Sequence, residues 1–78
     1  MTAVRFQIVH PSGEMLVDNG MLSFPENTSA KEDAQYIADD LASASDAPPG
    51  IVVRLWKDVG LYGSLESWGS PHAEVVTS

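Results

Sequence analysis

The sequence predicts a small α+β domain: one mostly antiparallel sheet of four to five strands, ordered β-β-β-α-β-β, with one helix packed on one face. Three observations carry this. Segments before residue 25 alternate apolar and polar side chains at the period of a half-buried strand, a capped stretch near residue 30 repeats its apolar residues at helical spacing, and 51–57 is rich in β-branched and aromatic residues.

Val4, Phe6 and Ile8 alternate with Arg5 and Gln7, predicting a strand over 3–9 that Pro11-Ser12-Gly13 breaks. With Ser12-Gly13 as a two-residue loop, His10 faces Met15 and Ile8 faces Val17. Asp18-Asn19-Gly20-Met21 reads as a type I′ turn, because Asn and Gly accept positive φ at the two central positions. Segments 14–18 and 21–24 then complete a meander, with Val17 opposite Leu22 and Met15 opposite Phe24. In that register Val4, Phe6, Ile8, Met15, Val17, Leu22 and Phe24 share one inner face.

Pro25 ends the third strand, and Ser29 followed by Glu32 has the spacing of a capping box, so a helix is expected over 29–45. At 100° per residue Ala30, Ala34, Ile37, Leu41 and Ala44 form its apolar stripe. Pro48-Pro49 marks the return connection. Strand 51–57 follows, and Asp58-Val59-Gly60 suits a hairpin loop with Gly60 in the left-handed position. That hairpin pairs Lys57 with Leu61, Trp56 with Tyr62 and Val53 with Leu65, and adds Ile51, Val53, Leu55, Leu61 and Leu65 to the inner face. Residues 1–68 form a single domain, and 69–78 a C-terminal tail, partly disordered or a short extra strand.

Composition narrows the function. The chain has 78 residues, a formal charge of −7, 44% apolar residues and no cysteine, which allows one small core with no disulfide framework and no thiolate metal site. Without such staples, tight packing or self-association must supply the stability. The sequence shows no signal peptide and no membrane span, which places the expected setting in the cytoplasm. Scarce Lys, Asn and Ile beside abundant Ala, Val, Ser and Asp fit a GC-rich bacterial or bacteriophage genome. No nucleophile elbow, EF-hand loop or H-x₃-H pair is present, and His10 and His72 both lie in turn-like segments beside proline. The expectation is therefore a non-enzymatic protein with no cofactor and no metal.

One helix covers one sheet face, leaving Arg5, Gln7, Val9, Leu16, Val52, Arg54, Trp56, Tyr62, Glu66 and Trp68 on the other. Trp, Tyr and Arg are the residue types of binding hot spots, so Arg5, Val9, Arg54, Trp56, Tyr62 and Trp68 are the candidate surface for homodimerisation or for another protein partner. The competing reading folds the C-terminal segment over Trp56 and Trp68 as a second minicore. Glu32, Asp33, Asp39 and Asp40 give the helix an acidic face. It is either a solvated surface or one that docks on a basic protein as an inhibitor or nucleic-acid mimic. Weak single-stranded nucleic-acid binding on the aromatic face is a third reading, disfavoured by the negative charge and by only two arginines there.

Overall fold

The computed structural model describes residues 1–59 and 62–78. Along the chain run β1 (Thr2–Val9), β2 (Met15–Phe24), α1 (Ala30–Ala42), β3 (Val52–Lys57), α2 (Leu65–Trp68) and β4 (Ala73–Val76). The strands form one antiparallel sheet in the order β2-β1-β3-β4, with α1 as the main helix, so the expected α+β class holds. Because β1 is antiparallel to both neighbours, β2 and β3 run the same way, and a crossover must link them; α1 provides it. The core lies between sheet and helix, where Val4, Phe6, Ile8, Val53 and Leu55 meet Ala34, Ile37 and Ala38.

The meander expected in the first 24 residues is a single long hairpin. Its loop is Pro11-Ser12-Gly13, with Gly13 at φ 95° and the amide of His10 donating to the carbonyl of Glu14 at 2.8 Å. Ile8 faces Val17 as expected, but Met15 faces Val9, and β2 continues through Asn19-Gly20 to place Leu22 opposite Val4 and Phe24 opposite Thr2. Gly20 serves close approach instead of a turn: it faces Phe6, whose ring a Cβ at this position would strike. Straight pairing uses the whole of β1, and β2 absorbs its extra length in two register shifts, one between Phe6 and Ile8 and one between Ile8 and Val9. Met15 and Leu22, both expected in the core, are each 42% exposed: the register shift between Ile8 and Val9 turns Met15 to the face opposite α1, and Leu22 stays inward but uncovered because α1 packs on β3 and β4.

Ser29 caps α1, its side chain accepting from the amide of Glu32 at 3.1 Å. The helix stops at Ala42, short of residue 45. Asp39 and Asp40 stand near its negative end with no basic residue in the last turn, and Ser43 Oγ donates back to the carbonyl of Asp40 at 2.6 Å. Ala44 is accordingly exposed.

The C-terminal third departs most from expectation. The partner of β3 is β4, with Val52 opposite Val76, Val53 opposite Val75, Arg54 opposite Glu74 and Leu55 opposite Ala73. The expected pairing of Trp56 with Tyr62 and Val53 with Leu65 is replaced: the chain turns at Gly63, φ 113°, and enters α2 in place of a strand. Ala73 and Val75 instead offer the alternating apolar residues that complete the core beside α1. The Ile51 amide donates to Thr77 Oγ1 at 2.9 Å and closes the sheet at this end. Of the two expectations for residues 69–78, the short extra strand is the one present. The expected left-handed Gly60 and the inner-face places of Leu61 and the Leu65 side chain lie outside the described residues.

Candidate interaction surface

Cross-strand register sorts the face opposite α1 into three rows, each with different chemistry. At one end Arg5 stands opposite Trp56. Trp56 is only 3% exposed, with its ring centroid 6.0 Å from that of Trp68 and its indole Nε1 donating to the carbonyl of Gly69 at 3.0 Å. The Arg5 guanidinium lies 5.4 Å from the Trp68 ring centroid and donates to Asn19 Oδ1 at 2.6 Å. The returning chain between β3 and β4 has thus folded over the tryptophans. This corrects the expectation of an open aromatic face: Trp56, Trp68 and Arg5 form a second minicore. Tyr62 does not pair with Trp56 and is 88% exposed. Trp56 is thus closed to stacking with a base, whereas Tyr62 stands exposed and Trp68 half-buried.

The middle row is polar and crosses all four strands. Gln7 Nε2 donates to Asp18 Oδ1 at 3.1 Å, Arg54 Nη1 donates to Gln7 Oε1 at 3.5 Å, and Arg54 Nε lies 3.9 Å from Glu74 Oε1. The register shift in β2 opposite Gln7 is what brings Asp18 to this row. Gln7 is buried within it, so its amide needs both partners.

The third row is apolar. Val9 faces Met15 on β2 and Val52 on β3, and Val52 faces Val76 on β4, so four aliphatic side chains cross the sheet in register. Val9 and Val52 are half-buried by their neighbours, Met15 is 42% exposed and Val76 57%. The tryptophan minicore lies at the far end of the face, beyond the polar row, and leaves this strip open. Of the expected surface residues only Val9 belongs to it, bordered by Arg54. Val52 was legible as an outer-face residue from strand parity. Simple alternation with Val17 points Met15 inward, and the register shift between the two turns it out; Val76 falls in the segment expected as a tail.

The acidic helix face is smaller than expected. Glu32, Asp39 and Asp40 are exposed, and Gln35 Nε2 donates to Asp39 Oδ1 at 2.8 Å. Asp33 is 1% exposed and turned inward. Its Oδ2 is 2.7 Å from Lys57 Nζ, and its Oδ1 accepts from Thr28 Oγ1 at 2.6 Å. The signal was present: Asp33 lies three residues after Ala30 and four before Ile37, on the buried stripe.

Asp18, Asn19, Ser64 and Glu66 line an open cleft of about 420 Å³. Among the described residues no group of three or more His, Asp or Glu is arranged to hold a metal ion, and no helix is long and apolar enough to cross a membrane. Comparison of the chain with protein families, curated proteins and solved structures gives no match.

Proposed function

We propose that the chain is a small non-enzymatic intracellular protein-interaction domain that binds through the apolar row Val9, Met15, Val52 and Val76, either to itself or to another protein. The observation that carries this is the row itself: four aliphatic residues in register across the whole sheet and open to solvent at both ends. A solvated sheet face has no use for such a row, whereas a β-branched strip beside a polar ladder has the apolar centre and polar rim of an interface. The exposed apolar residues of the β2 edge, Leu16, Met21 and Leu22, are the weaker surface. Two register shifts and the charge of Asp18 blunt that edge against strand addition.

The test is a photo-crosslinking amino acid placed at Val76 in cells making the full chain, with Lys31 on the exposed helix surface as control. A discrete adduct at Val76, absent at Lys31 and abolished by Val52→Lys, is the expected result. Equal labelling at both positions, or none at Val76, overturns the reading. An adduct at Lys31 alone, lost at high salt, would favour the acidic-docking alternative.

A further inference from the structure

The apolar row needs a cover, and we propose that its cover is a second copy of this chain, packed outer face on outer face across a two-fold axis. The inference rests on reading the row as an interaction surface, and commits that reading to one occupant.

The distribution of charge is the first argument. The chain carries −7, and Glu32, Asp39 and Asp40 project from the helix side. Two of the four basic residues, Arg5 and Arg54, lie on the outer face, where they offset Asp18 and Glu74, and a third, Lys57, is held by Asp33. The outer face is therefore where two acidic copies repel least. Packed this way, the sheets alone stand about 10 Å apart with both helices on the far sides, so the helix carboxylates are separated by more than the Debye length of about 8 Å at physiological ionic strength.

Self-complementarity is the second argument. A two-fold interface sets one patch against its own inverted copy, so the patch must contain both halves of each interaction. Here the aliphatic row meets an aliphatic row. The bordering ladder carries both signs, with Asp18 and Glu74 at its ends and Arg54 between them, all partnered within their own chain, so a facing copy meets no block of a single sign.

Shape is the third. The molecule measures 33 × 26 × 15 Å, a thin slab with one main helix on one side of the sheet and only a local cover on the other. Face-to-face packing turns this slab into a double layer with a second apolar seam, the route by which a small domain without cross-links gains core.

Sedimentation velocity on the purified full chain, from micromolar to about 0.5 mM, tests this. The expected species has twice the 8.4 kDa mass of the chain, and its association tightens when salt is raised, because screening removes repulsion between like-charged copies. Val52→Lys should weaken association at least about tenfold with unchanged circular dichroism, and Val76→Glu, at a more exposed edge position, reads the same surface should the first variant fail to fold. A monomer throughout the range overturns the proposal, as does a dimer indifferent to both substitutions or one that weakens with salt. A monomer whose Val76 crosslinks specifically to a different protein overturns self-pairing alone and leaves the interaction reading standing. A monomer with no Val76 adduct removes both.

Discussion

Asp33 and Lys57 tie three elements at one point. Lys57 Nζ reaches Asp33 Oδ2 on the first turn of α1, and Thr28 Oγ1 and the carbonyl of Pro25 in the loop after β2, with distances of 2.7, 3.0 and 3.1 Å. Both side chains are largely removed from water, 10% and 1% exposed, so each charge depends on the other. Removing one partner of such a pair leaves the other uncompensated. Asp33→Asn is expected to cost about 3 kcal/mol in urea-induced unfolding, whereas Asp39→Asn on the exposed face should stay within about 0.5 kcal/mol. Equal effects would show Asp33 to be an ordinary surface carboxylate. Trp56 makes the same argument in apolar terms. Trp56→Ala should destabilise by about 3–5 kcal/mol through the lost ring and its cavity, while Tyr62→Ala changes stability little. If Trp56→Ala instead left the unfolding midpoint intact and altered only association, the tryptophan would belong to an open interface.

Among the elements, β4 has the least sequence signal and a large structural share. It is four residues long, yet it pairs with β3, packs Ala73 and Val75 on the core beside α1, and supplies Val76 to the outer row. Thr77 and His72 fasten its ends: Thr77 Oγ1 accepts the amide of Ile51, and His72 Nδ1 accepts the amide of Lys57 at 2.9 Å. Deleting residues 73–78 should therefore abolish the cooperative thermal transition, since it unpairs β3 and opens the helix–sheet core on that side. A frayed tail would be lost without effect on that transition. The strand is hard to read because its alternation spans only four residues, while the turn-forming Asp58-Val59-Gly60 offers Ile51 to Lys57 a nearer partner in sequence. By contrast β1, the Ser29 cap and the inward stripe of Ala34, Ile37 and Leu41 were legible, each carried by a local rule that tertiary packing reinforces.

For the molecule as a whole, the two faces of the sheet have different covers. The inner face is closed by α1 over β3 and β4, and the outer face is closed at its Arg5 and Trp56 end by the chain returning to β4. What remains open is the Val9 row, next to a ladder with charges of both signs. Charge is uneven in the same sense: acids crowd the helix surface, while on the outer face Arg5 and Arg54 offset Asp18 and Glu74. Rising salt should thus strengthen association through the outer face, and would weaken docking of the helix face on a basic partner. The direction of that salt dependence separates the two modes of binding in one titration.

Local pattern in the sequence was enough for the fold class, the one main helix with its cap, the strands β1 and β3, and the parity that sends Arg5, Val9, Val52 and Arg54 to the face opposite α1. These follow from side-chain period and capping, which act over a few residues. Tertiary structure alone decided which segments pair and what covers the tryptophans. Asn19-Gly20 has the chemistry of a turn, but Gly20 instead receives the Phe6 ring from the neighbouring strand. Residues 61–66 follow a plausible hairpin loop, but a distant strand with Ala73 and Val75 completes the core better. Both outcomes depend on contacts between residues far apart in sequence, whose packing energy outweighs local turn preference and leaves no mark on either segment alone.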